Sequence, residues 1–304
     1  MAIDLYFAGS QCKEAEVIVA ENALCRLHSY YNDRSKLNKR FEEHVPGKLF
    51  IDSGAFTAWT KGVSIDVDTY IDFLNTYADQ ITLAGQIDTI AGAPDRTATP
   101  EEQYQASVAT WENYLYMYER LVKPQILVYT FHIGEDFSFL KQALEWRDSN
   151  GKPFEYMALG GTVGKPVKMK IEWFEKCWNI IKNSSNPNVK VHAFGMTSLK
   201  VLENFPFASA DSTSWIMTGS NGGIFTKYGT IYASDTHKSD MDHYSHLPED
   251  AKKAVVEEIT SLGYPMEELE TNYKARVCYN MLYQYKWSQN CNPVYRANKQ
   301  RKLF

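Results

Sequence analysis

The chain predicts an α/β fold, a (β/α)8 TIM-like barrel with a C-terminal helical extension. Short apolar, β-prone runs alternate with amphipathic stretches over most of its length. Three of these runs end on an aspartate: Leu49-Phe50-Ile51-Asp52, Thr82-Leu83-Ala84-Gly85-Gln86-Ile87-Asp88 and Phe207-Ala208-Ser209-Ala210-Asp211. Between the second and third, Met157-Ala158-Leu159-Gly160-Gly161 ends on bare backbone. Parallel barrels build their sites at the C-terminal ends of the strands, so this punctuation suits one.

Taken in order, Leu5-Tyr6-Phe7-Ala8-Gly9 reads as a first strand and 14–31 as one helix. Strands follow at 48–53, 80–88, 125–131, 156–159, 189–194 and 208–211, and helices at 67–78, 100–120, 137–148, 170–183 and 198–204. Thr99-Pro100-Glu101-Glu102 is a strong helix start, with an N-cap, proline in the first position and acids in the first turn. After Asp211 the pattern changes. Asn221-Gly222-Gly223 signals a turn, and 224–232 reads as a small hairpin or a bent eighth strand. The stretch 249–287 reads as helical. No repeat or low-complexity linker interrupts the chain, so one domain is expected, with 1–235 as barrel core and 236–304 as a helical part closing the barrel.

The 304 residues are 44% apolar, enough for a sizeable core. A net charge of −5 argues against a protein that coats nucleic acid by bulk charge, but leaves room for a local basic face. Five scattered cysteines without a CxxC point to a reducing compartment. No leader pattern and no apolar run of membrane length is visible, so a cytoplasmic protein with no membrane partner is expected.

Asp52, Asp88 or Asp211 alone would read as a helix cap or an Asx-turn. Three carboxylates opening on one barrel face read differently, because gathered like charges cost stability and shift pKa values. A pair flanking a sugar suits displacement at an anomeric carbon, one attacking while the other protonates the leaving group. Gly160 and Gly161 read either as a tight turn or as close backbone approach to a flat ligand. His132 at a strand end could bond a ligand, whereas His192 reads as a core histidine. Phe56 and Tyr129 read as stacking platforms or as core. His243 and His246, three apart with Cys278 and Cys291 downstream, make a weak zinc signal that ranks below surface histidines and structural thiols.

The ordered set resembles the tRNA-guanine transglycosylase superfamily. That family's Asp-Ser-Gly-Gly-Phe-Gln segment, with its acid/base aspartate, stands here as Asp52-Ser53-Gly54-Ala55-Phe56-Thr57. Its base-reading aspartate matches Asp88, and its Ala-Leu-Gly-Gly motif matches Ala158-Leu159-Gly160-Gly161. Its nucleophile, which follows a Met-Gly or similar turn, matches Asp211 after Phe194-Gly195-Met196. Its Asn-Gly-x-x-Phe-Thr-x-x-Gly run stands as Asn221-Gly222-Gly223-Ile224-Phe225-Thr226-Lys227-Tyr228-Gly229. Two departures matter. The zinc cysteines of the tRNA enzymes have no counterpart between Gly229 and Cys278, so no zinc or other cofactor is expected. Val128-Tyr129-Thr130-Phe131-His132 replaces a Val-Gln-Gly-Gly segment, so base recognition there must differ.

The opening Leu5-Tyr6-Phe7-Ala8-Gly9-Ser10 and the compact length look most like the DpdA-type DNA 7-deazaguanine transglycosylases, phage-encoded members included. The resemblance implies a DNA-modifying pentosyltransferase that exchanges guanine in DNA for a 7-deazaguanine of the preQ0/preQ1 type. In it Asp211 attacks the sugar, Asp52 is the acid/base, and Asp88, Gly160 and Gly161 hold the base, with Ser53, Phe56 and His132 nearby. Phosphate contacts are expected from Lys165, Lys168 and Lys170 and from the C-terminal Lys299, Arg301 and Lys302. The same chemistry on tRNA, a glycoside hydrolase using the two carboxylates, and a catalytically dead nucleic-acid-binding barrel are the alternatives.

Overall fold

The computed structural model describes residues 2–9, 12–196 and 198–294. Eight parallel strands close a barrel in sequence order. They are β1 (Asp4–Ala8), β2 (Arg26–Ser29), β3 (Leu49–Asp52), β4 (Leu83–Gly85), β5 (Leu127–His132), β6 (Tyr156–Gly160), β7 (Lys190–Ala193) and β8 (Ser209–Ser212). The ring closes where β8 pairs with β1, Asp4 opposite Ser209 and Tyr6 opposite Asp211. Around it lie α1 (Lys13–Glu21), α2 (Arg34–Glu42), α3 (Ala55–Thr60), α4 (Val67–Thr76), α5 (Pro100–Arg120), α6 (Phe137–Glu145), α7 (Val167–Lys182), α8 (Leu199–Leu202) and α9 (Ser214–Ser220). The α5 start is a capping box: the Thr99 hydroxyl accepts the Glu102 amide, and the Glu102 carboxylate accepts the Thr99 amide.

The expected single helix over 14–31 is a correction. α1 stops at Glu21, and Arg26–Ser29 is a barrel strand. No glycine or proline marks the break. Ala23 takes the left-handed conformation itself, at φ 48°. A charged residue also hides the strand: Arg26 is fully buried because its guanidinium donates to the carbonyls of Phe7 and Gly9. The 224–232 segment is a hairpin, β9 (Gly223–Thr226) against β10 (Gly229–Tyr232), outside the barrel. The eighth barrel strand is therefore supplied by β2.

Side chains alternate along each strand, and this alternation decides which residues reach the site. Tyr6, Ala8, Leu27, Phe50, Leu83, Val128 and Ala158 fill the barrel interior. Their neighbours Phe7, Ile51, Leu127, Tyr129, Leu159 and Val191 join the core shared with the helices. Two residues on from Phe50 is Asp52, and two on from Ala158 is Gly160, so inward positions become mouth positions at the C-terminal ends. Tyr129 has the other parity. It is fully buried and packs edge-on against Trp111 and Tyr114, which removes it as a platform for a base.

Beyond the hairpin, α10 (Glu249–Thr260), α11 (Met266–Thr271) and α12 (Tyr273–Asn290) build a smaller apolar cluster with it around Ile224, Val255, Leu269 and Tyr279. α12 lies against α9 so closely that a Cβ on Gly219 would sit 2.7 Å from the Val277 nitrogen. Its far end reaches the start of β1, where the Ile3 amide donates to the Ser288 carbonyl. Among the described residues, no helix is long and apolar enough to cross a membrane.

Candidate active site

β3 delivers Asp52 to the mouth, and the chain must then turn at once into α3. Gly54 makes that turn at φ 79°. A Cβ there would lie 2.5 Å from the Ser29 hydroxyl and 2.6 Å from Tyr31 Cβ, so the Asp-Ser-Gly sequence has a steric reason. Ser53 is buried beside it. Asp52 is partly buried, and burial, then the charges of Asp88 and Asp211, push its carboxyl up to about 7. A carboxyl at that value can give and take a proton near neutrality.

Asp88 sits in the loop after β4. Gln86 Nε2 donates to its Oδ1 at 3.0 Å, and His132 Nε2 lies 3.4 Å from its Oδ2. His132 Nδ1 meets Glu135 Oε1 at 3.0 Å. Burial opposes a charge on this ring, but Asp88 and Glu135 outweigh it and lift His132 to about 10. An imidazolium thus stands between two carboxylates. Gly160 leaves room for it, since a Cβ there would lie 2.9 Å from His132 Cδ2.

Because His132 is raised, its stabilisation is complete below about 6.5 and is lost as pH rises through about 10. His132→Phe leaves the largely buried Glu135 facing Asp88 without a counter-charge. The expected loss at pH 7 is about 3 kcal/mol, read from urea unfolding. An unchanged midpoint would contradict the charged triad.

Asp211 projects inward from β8. Its Oδ1 accepts the Gly195 amide at 2.7 Å and lies 3.2 Å from His192 Nε2. Asp52, Ser53, Phe56, Asp88, His132, Gly160 and Gly161 line one cleft of about 160 Å³, with Phe194 among its walls. Asp211 lies beside that wall, through its bond to Gly195, and near enough to raise Asp52. Phe56 is 64% exposed at the rim, free to stack on a flat ligand.

Lys165 and Lys168 are exposed on the segment that follows Gly161, with Lys168 Nζ 3.9 Å from Glu172; Lys170 is partly buried there. Lys299, Arg301 and Lys302 lie outside the described residues. Glu135, Gln86, Thr130 and Phe194 join the site without a sequence signal; only the three-residue spacing of His132 and Glu135 could have pointed to one of them. His192 is a core histidine, as its sequence context suggests, yet it touches Asp211.

A larger cavity of about 610 Å³ opens at the N-terminal end of the barrel, lined by Asp4, Cys25, Lys48 and Gln80 among others. It holds the Asp4–Lys48 ion pair but no convergence of carboxylates. Barrel enzymes work at the other end, where Asp52, Asp88 and Asp211 meet, and we take that end as the site. His243 Nδ1 bonds Ser245 and His246 Nε2 meets the Lys238 carbonyl. Among the described residues no group of three or more His, Cys, Asp or Glu could hold a metal ion.

Compared with known proteins, the chain matches no family model and no curated protein.

Proposed function

We propose that the protein is a DNA-guanine transglycosylase that exchanges guanine for a 7-deazaguanine base through a covalent aspartyl-deoxyribose intermediate. The observation that carries this reading is that β3 and β8 bring Asp52 and Asp211 to the same, C-terminal, end of one parallel barrel, with Asp52 raised to about 7 by burial and by the charges of Asp88 and Asp211. That is the pairing of a nucleophile with an acid/base in double displacement at an anomeric carbon. The ordered resemblance to the transglycosylases supports it, and so does a narrow cleft with Gly160-Gly161 backbone on one side and the exposed Phe56 ring at its rim.

The steps follow from the residues. A deoxyguanosine leaves the stack at a cost of a few kcal/mol and enters the cleft. Asp88, with His132 behind it, and the backbone at Gly160-Gly161 hold the base edge. Asp211 attacks C1′, the C1′–N9 bond breaks, and its electron pair leaves with guanine, which takes a proton from Asp52. The incoming base gives its proton to Asp52, its nitrogen attacks C1′, and the bond to Asp211 breaks. Configuration is retained overall, and bonds made and broken nearly balance, so no ATP or redox partner enters. The exposed Lys165 and Lys168 supply phosphate contacts, which makes binding salt-sensitive.

The test is mass spectrometry of nucleosides from DNA incubated with the protein and candidate 7-deazaguanines, alongside labelled-guanine exchange with DNA and tRNA in competition. A 7-deaza-2′-deoxyguanosine from DNA, with DNA outcompeting tRNA, is the expected result. Preferred exchange into tRNA would move the activity to the tRNA reaction. Release of reducing ends from a glycan with no base exchange would replace the reading by a hydrolase.

A further inference from the structure

Behind Asp211 a row of polar side chains runs down the barrel interior. Tyr156 donates to Ser209 Oγ at 2.8 Å, Ser209 Oγ meets His192 Nδ1 at 2.7 Å, and His192 Nε2 meets Asp211 Oδ1 at 3.2 Å. Strand alternation builds the row. Ser209 and Asp211 are inward positions two apart on β8, and in register Ser209 lies opposite His192, which lies opposite Ala158. His192 is fully buried, its ring 4.7 Å from Phe50 and 4.6 Å from Phe194 between centroids.

The hydrogen-bonding roles can be assigned from the far end. An ionised carboxylate only accepts, so His192 Nε2 carries a proton. In a neutral ring Nδ1 then accepts, and the proton must come from Ser209. Ser209 spends its single hydrogen there and accepts from Tyr156. Every proton in the row points toward Asp211, and every atom is satisfied with no added charge. Asp211 Oδ1 therefore receives two donors, the Gly195 amide and His192, while Oδ2 takes no hydrogen bond from the described residues.

We propose that the Tyr156–Ser209–His192 row is a positioning device that fixes the carboxylate plane of Asp211 and assigns Oδ2 as the attacking oxygen. The proposal rests on Asp211 being the nucleophile. Attack through Oδ2 makes it the ester oxygen, and Oδ1 becomes the ester carbonyl with both donors in place. When the incoming base displaces the sugar, the pair returns to Oδ2, and the carboxylate shares its charge with Oδ1, where the same two donors wait. His192 and Ser209 act through Asp211, so they are positioning residues. None of the row lines the base cleft, so its loss should spare base affinity.

Two measurements test this. The first is 15N NMR of histidine-labelled protein without substrate, with the His192 signals assigned by their loss in His192→Gln. The row requires hydrogen on Nε2, facing Asp211, and a bare Nδ1 that accepts from Ser209. Hydrogen on Nδ1 overturns the row. The second is base exchange by Ser209→Ala and by Tyr156→Phe, which removes one hydroxyl and keeps the rest if the alanine variant does not fold. Ser209→Ala should lower kcat about 10²-fold, Tyr156→Phe by less, with KM for guanine within about twofold in both. Unchanged kcat, or a rise in KM without a fall in kcat, overturns the inference while the exchange activity stands. Absence of exchange in the unaltered protein overturns the proposed function, and the tautomer measurement still reads the row.

Discussion

Asp211→Asn should lose at least about 10⁴-fold in base exchange and form no covalent protein–DNA species. The amide that replaces the carboxylate is a poor nucleophile, and its nitrogen cannot leave from a sugar as an anion. The fold should be spared. The asparagine side-chain oxygen can still accept the Gly195 amide at the position where Asp211 Oδ1 accepts it at 2.7 Å, and still face His192 Nε2. The variant carries a second signature. Asp211 is one of the charges that raise Asp52, so removing it should lower Asp52 from about 7. Carbon-13 NMR of the labelled Asp52 carboxyl reads that shift. A variant that still exchanges base would remove Asp211 as the nucleophile, and an unmoved Asp52 would place the two groups too far apart to cooperate.

Asp52→Asn should lower exchange by about 10³-fold, because neither the departing guanine nor the incoming base has a proton partner. It should also make the protein more stable in alkali. Asp52 has a folded value of about 7, above the ordinary value for an aspartate, chiefly through burial and then through Asp88 and Asp211. The folded state holds that proton more tightly than the unfolded state. The associated stability is complete below about pH 4 and is lost as pH rises through about 7. The shift corresponds to as much as about 4 kcal/mol. Asparagine carries no such charge, so the variant should gain about 1–4 kcal/mol over the native chain at pH 8.5 and little at pH 4.5. Urea unfolding at the two pH values measures it. An equal difference at both, or a loss at pH 8.5, would contradict a site that trades stability for chemistry.

Much of this was legible in the sequence because its signals were local. Thr99, Pro100 and Glu102 bracket the start of α5, and the structure begins that helix at Pro100. The runs that reach Asp52, Gly160 and Asp211 are barrel strands, and inward alternation brings these three positions to the mouth. The rest depended on distant partners. Arg26 makes sense in a strand only once the carbonyls of Phe7 and Gly9 are beside it. Ala23 breaks the chain without a breaker residue. Tyr129 and Val128 differ by one position, and only the closed barrel says which of them faces inward. Glu135 enters through the turn after β5, where His132 swings back to meet it, and no motif announces that turn. His192 looked like packing because its two polar partners come from β8, seventeen and nineteen residues away.

The most direct test is to trap and map the intermediate. The protein is incubated with guanine-containing duplex DNA, quenched in denaturant and digested with protease and nuclease, and the peptides are sequenced by mass spectrometry. A deoxyribose nucleotide esterified to Asp211, and abolished by Asp211→Asn, is the predicted result. Turnover with no adduct, or an adduct carried by Asp52 instead, would contradict the assignment of nucleophile and acid.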